Sequence, residues 1–134
     1  MIDESRPQKT RVLVVDDEMA ILRFVGAGLE LSGYNPTTTS DCTEALEIAR
    51  NGNTDIMLLD ILMSPITGFD VLIKLREFSD IPVIVFTARN DIGEIALQAG
   101  ADDYLGKPFK PRDLAEKIES VLSRRIGKET RHSN

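Results

Sequence analysis

The sequence is short of cysteine, of basic residues and of long apolar runs. Its single cysteine, Cys42, excludes an internal disulfide and any cysteine-rich metal site, and it fits a reducing compartment. Sixteen Lys and Arg against twenty-two Asp and Glu leave a formal net charge of −6. The domain as a whole is therefore a poor direct partner for nucleic acid. No apolar run approaches the roughly 20 residues needed to span a bilayer. The opening stretch MIDESRPQKT lacks the apolar segment of a signal peptide, and no internal repeat or low-complexity segment occurs. What is there is ordinary globular composition, 42% hydrophobic and 28% charged over 134 residues. That suits one domain with a proper core. The expectation is a soluble cytoplasmic domain with no membrane association.

Residues 1–10 read as a flexible N-terminus, 11–125 as the folded domain, and 126–134 as a flexible tail or the start of a linker. Within the domain, short apolar runs alternate with runs of helical period. RVLVV (11–15) reads as a strand and residues 18–33 as a helix, with Met19, Leu22, Val25 and Leu29 on one face and Gly33 as its cap. YNPTTTS (34–40) is a weak strand, and its Pro36 places it at a sheet edge. Asp41 can cap a helix over 42–52. DIMLLD (55–60) and IPVIVFT (81–87) are apolar without alternation, as expected of strands covered on both faces. Helices follow over 67–78 and 91–100, then a short strand over 102–106 and an amphipathic helix over 111–125, with Pro111 in its first turn. Five strands alternating with five helices predict a flavodoxin-like (βα)5 fold, an α/β domain with helices on both faces of a parallel sheet. The weak second strand favours the strand order 2-1-3-4-5.

In that order a ligand belongs outside the carboxyl ends of the first and third strands. Those ends carry Asp16, Asp17 and Asp60. Each acid has a plain reading as a helix cap, with Glu18 favouring the positive end of the first helix. Their convergence changes the balance. Two like charges about 5 Å apart repel by roughly 3 kcal/mol at an effective dielectric of 20. A divalent cation, a nearby ammonium or protonation of one acid relieves this. Few carboxylates and only oxygen ligands suit Mg²⁺, which keeps waters and takes phosphate oxygens as partners. Lys107 and Thr87 end the fifth and fourth strands on the same rim. An acid nucleophile, a cation, an ammonium and a hydroxyl are the parts needed to receive a phosphoryl group.

The motifs VVDDE (14–18), LLD (58–60), VFTA (85–88) and GADDYLGKPF (100–109) resemble those of a receiver domain of bacterial two-component response regulators. The OmpR/PhoB-like class is favoured by GADDYLGKPF and the terminal LSRR. The resemblance covers about residues 11–125. It implies that Asp60 is the phosphoacceptor, charged by a sensor histidine kinase or a phosphotransfer protein. It implies a Mg²⁺ (or Mn²⁺) site from Asp16, Asp17, Asp60 and the Leu62 backbone carbonyl. Asp17 would touch the ion directly and Asp16 largely through water. Thr87, Lys107 and the Ala88 backbone would hold phosphoryl oxygens, and the Lys107–Pro108 peptide would be cis. Thr87 and Tyr104 would form a switch that alters the face of the fourth helix, fifth strand and fifth helix. Such a domain is no enzyme beyond its own phosphorylation and dephosphorylation. It regulates transcription through an attached DNA-binding domain, with a phosphorylation-dependent homodimer as one output, or else serves as a stand-alone relay or protein-interaction module.

Two departures from that pattern stand out. Ser64, with Pro65 after it, occupies the place where Pro is common, while Gly68 keeps its position. From Thr87 to Tyr104 the chain advances 17 positions, about two fewer than in many receivers, so the fourth helix or its preceding loop is expected to be short. The small Ala88 leaves the phosphoryl site open. The large apolar Leu62 can shield the phosphate from water, which predicts slow autodephosphorylation. A metal-dependent aspartate phosphatase would resemble Asp-x-Asp after the first strand, whereas the acids here are adjacent. A flavin binder on the same fold needs a Ser/Thr/Gly-rich phosphate loop where DDEMA stands.

Overall fold

The computed structural model describes residues 9–63 and 68–132. Five parallel strands, β1 (Arg11–Val15), β2 (Asn35–Thr39), β3 (Ile56–Asp60), β4 (Val83–Thr87) and β5 (Asp103–Gly106), form one sheet in the order β2-β1-β3-β4-β5. Five helices alternate with them: α1 (Met19–Leu31), α2 (Cys42–Arg50), α3 (Gly68–Arg76), α4 (Asn90–Gln98) and α5 (Pro111–His132). This is the flavodoxin-like arrangement expected. Among the described residues no helix is long and apolar enough to cross a membrane.

The uninterrupted apolar strands build two cores, one on each face. Leu13, Val15, Met57, Leu59, Val83 and Val85 face one side, against Ala45 and Ala49 of α2, Val71, Leu72 and Leu75 of α3, and Ala96 of α4. Their neighbours Val12, Val14, Ile56, Leu58, Ile84 and Phe86 face the other, against Leu22, Val25 and Leu29 of α1 and Leu114, Ile118 and Val121 of α5. Side chains in a strand point alternately to opposite faces, so only a strand covered twice is apolar throughout. Each large side chain so buried contributes about 1.5–3 kcal/mol.

Local signals explain most boundaries. The Asp41 carboxylate accepts from the N–H groups of Thr43 and Glu44 and caps α2. Gly33 takes φ of +91° just past α1, and the Tyr34 N–H returns to the Leu29 carbonyl at 2.9 Å, closing the helix as a Schellman turn. Pro36 sits in edge strand β2, paired only with β1. Three details differ from the sequence expectation. Met19 shares the spacing of the buried face of α1 yet is 56% exposed, because it opens the helix where the turn has not yet met the sheet. Strand β4 starts at Val83, after Ile81 and Pro82. Helix α5 continues to His132, seven residues past Arg125.

Candidate functional site

In a parallel sheet every strand delivers its last residue to the same edge. The register pairs Val15 with Leu59, Asp60 with Phe86, and Thr87 with Gly106. Asp16, Asp60, Thr87 and Lys107 therefore arrive together. The turn after β1 is held by Asp16 itself, whose N–H donates to the Thr39 carbonyl at 3.2 Å. Its Oδ1 accepts from the Glu18 N–H at 2.9 Å. Asp16 is fully buried, and its other oxygen lies 3.2 Å from Lys107 Nζ. The position at the N-cap of α1 belongs to Glu18, whose side chain makes no capping bond. Asp16 serves the turn before the helix.

Asp60 closes β3 at 6% exposure. Its Oδ1 accepts from the Leu62 N–H at 3.2 Å, and its Oδ2 lies 3.7 Å from Lys107 Nζ. One ammonium thus bridges two nearly buried carboxylates, holding Asp16 the closer. Burial, and after it the charge of Asp16, pushes Asp60 above the usual carboxylate range, against the pull of the Leu62 N–H and the Lys107 ammonium. The backbone around Asp60 is crowded as well. A Cβ on Gly68 would stand 2.6 Å from the Ile61 Cα and closer still to the Asp60 carbonyl, while the Gly68 N–H donates to the Ile61 carbonyl at 2.9 Å. Only glycine lets α3 begin this near the end of β3. The expectation about Ser64 and Pro65 lies outside the described residues.

Lys107 is aimed by its surroundings. Its N–H donates to the Thr87 carbonyl at 2.8 Å, the Lys107–Pro108 peptide is cis, and Phe109 stacks on Phe86 with ring centroids 4.8 Å apart. Thr87 is 2% exposed, and its Oγ1 accepts from the Arg89 N–H at 3.1 Å. Ala88 is exposed beside it, and Leu62, two residues past Asp60, is 52% exposed. Tyr104 is half-buried in β5, and its hydroxyl donates to Glu94 of α4 at 3.2 Å.

The carboxylates divide into two groups. Oxygens of Asp16, Asp17 and Glu18 lie within 4.8 Å of one another, with Asp17 and Glu18 exposed. Asp60 joins them through Asp16 and Lys107. All-oxygen donors of excess negative charge, one of them fully buried, fit a hard divalent cation. Sequence reasoning missed two partners. The sequence pattern gives Glu18 the helix end alone. Glu94 carried no motif, although the Gly93-x-x-Ala96 spacing on the buried side of α4 was a signal of close approach to β5.

Comparison with known proteins agrees with this geometry. The model of the response regulator receiver domain matches residues 12–119. A curated relative, "Probable transcriptional regulator ycf27" of Porphyridium aerugineum, is 39% identical over 129 residues, covering 95% of this chain and 53% of that protein. The response regulator SaeR of Staphylococcus epidermidis is 39% identical over 128 residues, covering 93% and 55%. The chain thus spans about half the length of the curated relatives it matches. A CheY-like receiver domain protein of Methanospirillum hungatei superposes with a TM-score of 0.82 at 31% identity, covering 90% of this chain and 99% of that one. With strand order, rim residues and family model in agreement, the chain belongs to the response regulator receiver domains and is a two-component signalling module.

Proposed function

We propose that Asp60 is the phosphoacceptor of this domain. The observation that carries this reading is the pair of nearly buried carboxylates, Asp60 and Asp16, bridged by Lys107 at 3.7 and 3.2 Å. Only Asp60 of that pair is partly open to solvent, and the Asp16 carboxylate is committed to the turn and to Lys107. An Asp60 oxygen attacks the phosphorus of a phosphohistidine in line, the P–N bond breaks, and the imidazole leaves with the electron pair. Lys107 then shares its charge between Asp16 and an incoming phosphoryl oxygen. The Thr87 hydroxyl, an acceptor toward Arg89, still has its own proton to donate. Asp16 and Asp17, with Asp60 and the Leu62 carbonyl, would hold Mg²⁺ or Mn²⁺. Such a cation, when bound, neutralises charge on the transferring oxygens.

The donor is a histidine kinase or phosphotransfer protein, and the domain acts in the cytoplasm. As part of a longer regulator it controls transcription, by analogy with the half-matched relatives, and phosphorylation promotes a homodimer through α4, β5 and α5. Acetyl phosphate with Mg²⁺ is the direct test. The wild-type protein should gain one phosphoryl group by intact mass, and Asp60→Asn should gain none. Labelling of the Asn variant at an unchanged level would refute the assignment. Size-exclusion chromatography with and without beryllofluoride, an anionic mimic of the phosphoryl group, tests the dimer. An unchanged monomer there would favour the stand-alone relay, the reading supported by structural neighbours of which this chain covers 99%.

A further inference from the structure

Helix α4 carries a glycine in its interior, and that glycine faces an aromatic ring. Gly93 is buried on the sheet side of α4 with Ala96. A Cβ built on it would lie 2.5 Å from Cγ and 2.7 Å from Cε2 of the Tyr104 ring, with Cδ2 nearer still. Atoms at van der Waals contact stand well beyond that, so no side chain fits between the helix and the ring as they are placed. Glycine is also a poorer helix former than alanine. Position 93 therefore sacrifices helix propensity in a helix of only nine residues, and the return is the closeness of Tyr104. One residue on, Glu94 accepts from the Tyr104 hydroxyl at 3.2 Å. The ring is held on its face by backbone and at its tip by a carboxylate.

The same helix has a second tether. The Arg89 N–H at its N-cap donates to Thr87 Oγ1 at 3.1 Å, at the rim that holds Asp60. We infer that Gly93 and Glu94 form a seat for Tyr104, so that residue 93 sets where the ring rests and ties movement of the ring to movement of α4. The regulatory half of this inference rests on the phosphoacceptor role proposed for Asp60. When the Thr87 hydroxyl turns toward a phosphoryl group, this second tether weakens. Tyr104 can then leave the seat only by giving up both the Glu94 bond and its contact with the helix. The short α4 thus restrains a ring that would otherwise swing without moving the helix.

The seat is tested without any phosphoryl chemistry by urea unfolding of Gly93→Ala, Tyr104→Ala and the double variant. With Tyr104 present, alanine at 93 should lower the unfolding midpoint. Without the ring, the same substitution should raise it, since only helix propensity remains. A shift of the same sign in both backgrounds overturns the seat. If Tyr104→Ala does not fold, Tyr104→Val keeps a β-forming residue and removes the ring equally.

The regulatory half is read by tyrosine emission. The chain has two tyrosines and no tryptophan, so Tyr34→Phe leaves Tyr104 as the sole emitter. Addition of Mg²⁺ and beryllofluoride should shift its emission. In the Gly93→Ala background the emission should already stand near the shifted value, and the response should fall at least by half. Equal starting emission and equal response in the two proteins would overturn the role of position 93. A reversal in the unfolding cycle with no response in either protein would uphold the seat and overturn the Asp60 reading beneath its regulatory role.

Discussion

Asp60→Asn should make the domain more stable at neutral pH, because the site holds one carboxylate more than its single ammonium can satisfy. Asp60 is 6% exposed and lies 3.7 Å from Lys107 Nζ. At an effective dielectric of 20 that attraction is about 4 kcal/mol. Asp16 contacts the same ammonium, and at roughly 5 Å its repulsion of Asp60 is about 3 kcal/mol. The two nearly cancel, which leaves the lost hydration of the Asp60 charge uncompensated. Asparagine keeps the size and still accepts from the Leu62 N–H, and Lys107 keeps Asp16 at 3.2 Å. The expected gain is on the order of 1–2 kcal/mol at pH 7, or about 3–8 °C in Tm for a domain of this size.

The pH dependence has a fixed sign. Asp60 binds its proton more tightly folded than unfolded. The unfolded chain therefore loses that proton first, and wild-type stability falls as pH rises from the ordinary carboxylate value through the raised one. Below both values Asp60 is neutral in either state, so the advantage of Asn should vanish there. Urea unfolding of both proteins in EDTA, from pH 7 down to pH 3, measures the difference. Adding Mg²⁺ should narrow the gap at pH 7, since a cation held by the acids stabilises the wild type more. An Asn variant no more stable than wild type at pH 7, or a gap that widens toward acid, would refute the reasoning.

Three further substitutions have expected outcomes. Asp102 accepts from the Val83 N–H at 2.8 Å and pairs with both Arg76 and Arg125 at the opposite pole of the sheet. Asp102→Ala should therefore cost about 3–4 kcal/mol in chemical unfolding, whereas Asp91→Ala, which breaks an ion pair more than half exposed, should leave the unfolding midpoint essentially unchanged. Leu62→Asn should speed loss of the phosphoryl group several-fold, read as the decay of the phosphorylated mass after acetyl phosphate is removed. An unchanged decay would show that Leu62 does not shield the bond.

The features visible in the sequence were those set by short-range chemistry. RVLVV, DIMLLD and VIVFT are apolar on both sides of the pleat, and that alone placed helices on both faces. Pro36 marked the edge, Asp41 marked its helix, and the rim acids followed from strand order. The less visible features depended on distances that no local pattern encodes. Met19 carries the right spacing, but it begins α1, where the helix does not yet meet the sheet. The polar composition after Arg125 reads as a loose end, yet Lys, Glu and Arg are good helix formers and α5 continues through Lys128, Glu129 and Arg131 to His132. Lys107 was legible as a charge on the rim but not as a bridge between Asp16 and Asp60. The seat of Tyr104 was hidden because its key residue contributes no side chain at all.

The route from the rim to the face of α4 and β5 is short in this domain. Thr87 offers its carbonyl to the Lys107 N–H at 2.8 Å and its Oγ1 to the Arg89 N–H at 3.1 Å. One residue thus holds both the backbone that carries the ammonium and the N-cap of α4. A group that recruits the Thr87 proton and the Lys107 charge acts on both attachments together, through one bond each. Coupling over so few bonds needs only one element with two resting places, not a long wire of contacts. On the reading proposed above, Tyr104, seated against Gly93 and hydrogen-bonded to Glu94, would be that element, its contact with the backbone of α4 carrying a change in ring position into the helix. The excess of acids over ammonium at the rim sets the direction of the bias. A further anion is opposed by that excess, so on the reading proposed above a cation held by the acids would have to offset it before a phosphoryl group could draw the Thr87 hydroxyl and the Lys107 ammonium toward itself.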